Sequence, residues 1–473
     1  MISAFRQRAK YVVGDYVSST AAWIVYTCLR YLLNGDMMFA QGYHSLRQFL
    51  TTPTVVLGMI VFPIAMMCVY VLSGYYNSVF RKSRVQELFV TIGSVTFNSL
   101  MIFFVALIND MANDRAYNYE MIILLLLLLF VMVYSVRVSI TYRTSKKIKS
   151  RQWQFNTLII GTDKDARKLG NELNTMHESI GNRVVGYVSV SDDNAETWGN
   201  TYRLSDIEQV CQQLDVSELI VAMGKRDSKK ALDIINQLFK VNLPIKITPS
   251  MADIVLTKVK IEQFMGAPLV DISGSDMSDF SQNMKRLYDV VFSALLLIIL
   301  SPLFLIMALV IKLDSKGPVV YKQRRVGLHN KPFTIYKFRS MTRDAESEGV
   351  PMLSSDNDAR VTRIGRWMRK YRIDETLQFW NVVKGDMSLV GPRPEREFYL
   401  KQMMDRVPYC ALLHKVRPGI TSLGMVKYGY AKNVDEMIER LKYDLLYLEN
   451  MSIINDLKIM IYTVKIVLNG RGI

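Results

Sequence analysis

The sequence predicts a three-part membrane protein: an α-helical bundle of four transmembrane helices, an α/β domain with a mostly parallel sheet, and a mostly α-helical, membrane-associated domain with a re-entrant helix hairpin. Three observations carry this expectation. Four apolar runs fall within the first 150 residues, short β-rich and amphipathic runs alternate from 155 to about 248, and a later apolar run is interrupted by Ser301-Pro302. Half of the 473 residues are hydrophobic and the formal charge is +16, a chain too long and too apolar for one ordinary soluble domain.

The apolar runs lie near 11–33, 53–75, 88–109 and 121–136, the last containing MIILLLLLLFVMVY. Each approaches the ~20 residues needed to cross hydrocarbon. Asp15 and Arg30, near the ends of the first, must reach the interface or a partner. No small-residue cleavage site follows it, which predicts an anchor and not a removed signal peptide. Basic residues then set the orientation. Arg6, Arg8 and Lys10 precede the first run, Arg81, Lys82 and Arg84 follow the second, and Arg137, Arg143, Lys146, Lys147, Lys149 and Arg151 follow the fourth. The other two loops offer only Arg47 and Arg115, so both ends of this 1–150 unit are expected on the cytoplasmic side of the membrane.

From 151 to 250, NTLIIG, DARKLGNELNTM, RVVGYVSV, SELIVAM and PIKITPS alternate strand and helix character, which predicts an α/β domain. In LIIGTDKDARKLG, Gly161 stands between a strand and a helix, but Asp163 and Ala166 occupy the other glycine positions of a dinucleotide fingerprint. A carboxylate there would repel a pyrophosphate, so the expectation is a degenerate Rossmann-like module used in packing, oligomerisation (a homodimer through this or the transmembrane domain) or regulation. A polar linker is expected over 251–283, around DISGSDMSDFSQN.

Residues 284–473 hold the charge and the candidate chemistry. Between 312 and 397 there are eighteen Lys or Arg against eleven Asp or Glu, clustered in YKQRRVG, YKFRSMTRD and RVTRIGRWMRKYR. Such patches suit phosphate-bearing ligands, or simply a solvated basic face against anionic headgroups of membrane lipids. In a membrane chain the second origin argues against nucleic acid as a partner. Arg393, in GPRPE, is the clearest candidate clamp, because two prolines stiffen the backbone around it. The four cysteines are scattered, with no CxxC pair or histidine cluster, which argues against a disulfide framework or a zinc site.

RIDETLQFWNVVKGDMSLVGPRPE places Asp374 and Glu375 where a helix is expected to begin, ending before Gly385. Adjacent carboxylates there serve ordinarily as cap and dipole partners. Among so many arginines they also allow one carboxylate to attack phosphorus while its neighbour holds a magnesium ion.

The motifs KRLYDVVFSALLLIILSPLFLIMALVIKL, QRRVG, YKFRSM, DARVTRIGRWMRKYRIDETLQFWNVVKGDMSLVGPRP and RPGIT resemble, in order over about 190 residues, the bacterial polyprenyl-phosphate sugar-1-phosphate transferases. With the four spans and the α/β module, the whole chain resembles the large form of these monotopic phosphoglycosyltransferases. The resemblance implies transfer of a sugar-1-phosphate from a UDP-sugar to undecaprenyl phosphate, with release of UMP, at the first membrane step of capsule, O-antigen or exopolysaccharide synthesis. It implies Asp374 as the nucleophile that carries a covalent phosphosugar, Glu375 as the ligand of Mg2+, and Lys337, Arg339, Arg360 and Arg393 as phosphate or nucleotide binders. It favours a hexose, glucose or galactose, over N-acetylated sugars. Leu377 replaces the proline many relatives carry two residues after the dyad, a helix-start preference with no chemical part. SLGMVKYG, after RPGIT, departs where glycine and glutamine are commoner, which bears on sugar or nucleotide preference.

Two other functions fit parts of the chain. A membrane-anchored nucleotide-sugar dehydratase or epimerase would need an intact glycine-rich site and a Tyr-x-x-x-Lys pair after residue 284, and YDVVFSALLL and YKFRSM supply neither. A non-enzymatic assembly regulator would use the dyad only as a cap.

The run from Val290 to Leu313 is long enough to cross, but Lys285 and Arg286 precede it and Lys312, Lys316 and Lys322 follow, so both ends prefer the cytoplasm. Each arm about the Ser301-Pro302 break is about eleven residues, roughly 16 Å, or half the hydrocarbon thickness. A re-entrant hairpin over about 286–314 is therefore expected, with Ser301 satisfying a backbone group that Pro302 frees. DLKIMIYTVKIVLNG, residues 456–470, fits equally a helix in the headgroup region or a buried packing helix.

Overall fold

The computed structural model describes the chain apart from residues 1–3, 41, 108–114, 177–178, 191–199, most of 223–242, 249–268, 273–276, 343–357 and 471–473. It divides into two compact units, Met1–Gln154 and Phe155–Ile473.

The first unit is built from four long helices, Ala4–Leu33, Pro53–Leu72, Arg84–Ile102 with a π-helical continuation Phe103–Leu107, and Arg115–Lys149. Among the described residues, Pro53–Leu72, Arg84–Val105 and Tyr119–Lys149 are long and apolar enough to cross a membrane. The first helix is not among them, because its buried face carries Gln7, Asp15, Ser18, Ser19 and Thr27 beside Tyr11, Trp23 and Tyr26. Those polar groups face partners. Arg137, placed by the sequence on the basic flank of the fourth run, is fully buried. Its Nε and Nη2 donate to Asp15 Oδ1 and Oδ2 at 2.9 and 2.8 Å, and its Nη1 donates to Thr91 Oγ1 at 2.9 Å. The guanidinium also sits 3.7 Å from the Tyr75 ring centroid. Arg137 therefore adds nothing to the flank; Arg143, Lys146, Lys147, Lys149 and Arg151 remain there.

The second unit opens with a six-stranded sheet: β1 (Phe155–Ile160), β2 (Asn182–Ser189), β3 (Thr201–Arg203), β4 (Glu218–Val221), β5 (Ile245–Ile247) and β6 (Val270–Asp271). Their spatial order is β3-β2-β1-β4-β5-β6, parallel throughout except for β5 with β6. The core on both faces of the sheet is Leu158, Ile160, Leu219 and Val221 on one side and Ile159 and Ile220 on the other, the period-two pattern of strands buried on both faces. Gly161 takes φ +131°, and the Ala222 carbonyl occupies the space a Cβ would need. Asp163 caps the helix Lys164–Thr175 by accepting from Ala166 N at 2.8 Å. A carboxylate of the chain itself thus occupies the helix start where a dinucleotide fold would seat phosphate. Most of the linker expected over 251–283 lies outside the described residues; the part described includes β6, too short at two residues to announce itself by periodicity.

The apolar run near 301 forms two helices, Asp279–Ile299 and Ser301–Asp314, bent by 59°. The cause is local. The Ile298 carbonyl would accept from residue 302 in a continuous helix, but Pro302 has no N–H, and Ser301 Oγ donates to Ile298 O instead, at 2.7 Å. The basic start of the first arm is tied down inside the protein. Lys285 Nζ donates to Val390 O at 3.0 Å and pairs with Asp456 at 2.5 Å; Arg286 Nη2 donates to Val382 O at 2.8 Å. Asp289 accepts from Ser388 Oγ at 2.6 Å and from Leu389 N at 3.2 Å. Lys285 and Asp289 thereby hold β9 (Ser388–Val390), which pairs in parallel with β10 (Gly419–Thr421), while Arg286 holds the end of the preceding helix. Helix Ile453–Leu468 buries Asp456 and Ile459 and leaves Ile454, Leu457, Ile461, Val464 and Leu468 exposed.

Candidate active site

Three segments build the site. The hairpin β7 (Val320–Val326) and β8 (Pro332–Phe338) supplies Lys337 and, just past its end, Arg339; two residues apart on an extended strand, they share a face. The helix Arg363–Lys370, started by Thr362 Oγ1 accepting from Gly365 N at 3.0 Å, leads through Arg372 into a 3-10 turn, Ile373–Glu375. Arg372 adopts the left-handed conformation, φ 52°, uncommon for a non-glycine residue. The helix that follows begins only at Gln378 and ends at Gly385, φ +106°. Asp374 is therefore not its cap. The third segment is the loop after β9, with Arg393.

Asn381 aligns two of these segments: its Nδ2 donates to Thr334 O at 2.7 Å and its Oδ1 accepts from Tyr336 N at 3.1 Å. Helix Gln378–Lys384 is thereby fixed to β8, which brings Lys337 to the dyad. Lys337 Nζ lies 2.7 Å from Glu375 Oε1, Arg393 Nη2 lies 3.8 Å from the same oxygen, and Arg372 Nη1 lies 3.4 Å from Oε2. Asp374 and Glu375 are both buried. Asp374 makes no hydrogen bond among the described residues and lines an open cleft of about 300 Å³.

The electrostatics separate the two carboxylates. Burial, reinforced by the Glu375 charge, pushes Asp374 above the ordinary aspartate value against Lys337, Arg369 and Arg372. Burial would also raise Glu375, but Lys337, Arg393 and Arg372 outweigh it and hold this carboxyl below the usual carboxylate range. One carboxylate is locked as an anion among cations, and its neighbour is free and more basic than an exposed aspartate.

The cleft is lined by Arg325, Lys337, Arg339, Arg369, Arg393, Arg396 and Arg440, with Asp374, Glu375 and Glu395 as its acids. Of the sequence candidates, Asp374, Glu375, Lys337, Arg339 and Arg393 come together here. Arg360 does not line the cleft: its Nε and Nη2 hold Asp358 at 2.8 and 2.6 Å. Arg339 is only partly available, since its Nη2 donates to Ser315 O at 2.7 Å and to Ile311 O at 3.3 Å, capping helix Ser301–Asp314. Ser301 and Pro302 lie at the bend, outside the cleft lining. Sequence inspection missed Arg372, Glu395, Arg440 and Tyr430. Arg372 carried a signal, its place two residues before the dyad. Glu395, buried and paired with Arg440, carried none, because its partner is 45 residues away.

Among the described residues no group of three or more His, Cys, Asp or Glu forms a metal cage. A hard cation of the magnesium kind takes one or two protein carboxylates and completes its shell with water and substrate phosphate; at this dyad it would have to share Glu375 with Lys337, Arg372 and Arg393, while Asp374 makes no such ion pair among the described residues.

A sequence profile described as bacterial sugar transferase matches residues 280–470. A UDP-glucose:undecaprenyl-phosphate glucose-1-phosphate transferase of Klebsiella pneumoniae is 34% identical over 264 residues, covering 55% of this chain and 57% of that protein. A UDP-N-acetylgalactosamine-undecaprenyl-phosphate N-acetylgalactosaminephosphotransferase of Aeromonas hydrophila is 38% identical over 231 residues, 49% of this chain and 54% of that one. A UDP-glucose:undecaprenyl-phosphate glucose-1-phosphate transferase of Caulobacter vibrioides is 42% identical over 182 residues, 38% of this chain and 68% of that protein. The chain spans little more than half the length of the Klebsiella and Aeromonas relatives it matches.

Proposed function

The chain belongs to the bacterial sugar transferase family, and from that premise we propose that it transfers a sugar-1-phosphate from a UDP-sugar to undecaprenyl phosphate. The observation that carries this is the division within the dyad: Glu375 held by three cations, Asp374 unbonded beside it in a basic cleft. An Asp374 oxygen attacks the sugar-bearing phosphorus, the P–O bond to UMP breaks, and UMP leaves with the electron pair. A phosphate oxygen of undecaprenyl phosphate then attacks the same phosphorus and Asp374 departs as carboxylate, leaving undecaprenyl-diphosphate-sugar. Dividing the reaction spares the site from holding a soluble donor and a lipid acceptor at once.

Lys337, Arg369 and Arg393 neutralise charge on the transferred group, as in other phosphoryl transfers. Glu375, with the donor diphosphate, would hold Mg2+, which supplies further neutralisation of the leaving UMP. Arg339 joins the cleft to the hairpin end, which suits an acceptor whose chain lies in lipid. We read the bent pair as re-entrant, the first helix as a fourth span completed by its Asp15–Arg137 pair, and the six-stranded sheet, by its strand order, as Rossmann-like without a dinucleotide. The basic residues flanking the first unit, Arg143, Lys146, Lys147, Lys149 and Arg151 among them, support a site at the cytoplasmic face of the inner membrane. A hexose donor is favoured, and the pathway would be capsule, O-antigen or exopolysaccharide assembly.

Purified protein in lipid nanodiscs with undecaprenyl phosphate and Mg2+ is expected to release UMP from one of a panel of UDP-sugars, and Asp374→Asn to abolish the release. Unchanged UMP release by Asp374→Asn would remove Asp374 from the chemistry.

A further inference from the structure

Tyr430 stands in the loop between helices Leu423–Lys427 and Val434–Glu449 and lines the cleft. The guanidinium carbons of Arg372 and Arg393 lie 5.1 and 5.0 Å from its ring centroid, within the range at which a ring face attracts a cation. The same two arginines address opposite oxygens of Glu375. Two like charges on long, rotatable stems repel each other and lose that alignment unless something holds them. Backbone geometry holds Arg372 only as far as its left-handed Cα, and its buried Nε has no hydrogen-bond partner. What the two guanidiniums share is the Glu375 carboxylate and the Tyr430 ring.

We propose that Tyr430 is a positioning residue that holds Arg372 and Arg393 as a pair on Glu375, so that Arg393, which lines the cleft, is aligned for the diphosphate of the donor. This rests on the transferase function above. The ring acts through the arginines, so its removal matters only while they are present.

The test is a double-mutant cycle on the full-length protein in nanodiscs, read as kcat/KM for UMP release with the preferred UDP-sugar. Tyr430→Leu is expected to lose at least about tenfold, and Tyr430→Phe, which keeps the ring, clearly less. Added to Arg393→Lys, Tyr430→Leu is expected to cost under about threefold more, because partners that act as a unit do not add. Losses that multiply in the double variant, or equal losses for Phe and Leu, would overturn the clamp. Thermal unfolding of each variant separates misfolding from misalignment: a Tyr430→Leu loss that tracks a fall in Tm also overturns it. If the unaltered protein releases no UMP from any UDP-sugar, the transferase function fails and the clamp is tested by UDP binding instead, where the same coupling supports it and its absence overturns it.

Discussion

Arg137 grips Asp15 with two parallel hydrogen bonds, 2.9 and 2.8 Å, and neither side chain is more than 1% exposed. Removing one partner strands a charge in the helix bundle, which typically costs about 3–5 kcal/mol, whereas replacing both with apolar groups of similar volume costs far less. Arg137→Gln and Asp15→Leu are therefore each expected to lower the unfolding temperature in detergent sharply, and the double change Asp15→Leu/Arg137→Met to recover most of it. A double variant as unstable as the singles would show that the pair does more than neutralise itself.

Lys337 provides the shortest contact to Glu375. Lys337→Met removes that charge while keeping a similar stem, and kcat/KM is expected to fall by about 10²-fold, the scale of losing one preorganised electrostatic partner. Steady-state UMP release measures it; a change under about threefold would place Lys337 outside the chemistry.

Pro302 denies the Ile298 carbonyl a helical partner. Pro302→Leu restores that N–H and should favour a straight helix long enough to span. With a single cysteine at Lys316→Cys, labelling from the cytoplasmic side alone is expected in the parent. Adding Pro302→Leu should give a mixture of labelling from both sides.

His414 is buried, its Nδ1 without a hydrogen-bond partner, and burial pushes its pKa down to about 4 although Glu395 pulls the other way. A depressed histidine is neutral in the fold while the unfolded chain takes up a proton near pH 6.5. Its contribution to stability is thus complete above about pH 6.5 and is lost as pH falls toward about 4. The gap corresponds to about 3 kcal/mol. Unfolding by denaturant between pH 7 and 4 should show this slope, and His414→Leu should flatten it.

What the sequence disclosed and what it hid divide along physical lines. Apolar runs, strand alternation and the Ser301-Pro302 break are local patterns, and each has its counterpart in the helices, the β1–β5 order and the 59° bend. Partner choice across long separations is not local. Nothing near Arg137 says that Asp15, 122 residues earlier, will meet it, so its charge reads as a flank. Arg360 and Arg339 lay in basic motifs like their neighbours, yet one spends its guanidinium on Asp358 and the other largely on the hairpin's last carbonyls. The dyad was legible as a pair; its unequal electrostatics depend on Lys337, Arg372 and Arg393 arriving from three segments.

On the re-entrant reading proposed above, the tie between the bent helix pair and β9 has a mechanical consequence. Lys285, Arg286 and Asp289 on the first arm grip residues 382–390, three residues short of Arg393. Sliding the hairpin by one helical residue along the bilayer normal would lift or sink the site by about 1.5 Å. On that reading the bent pair would act as a float whose draught sets how close Asp374 sits to the plane of lipid phosphates.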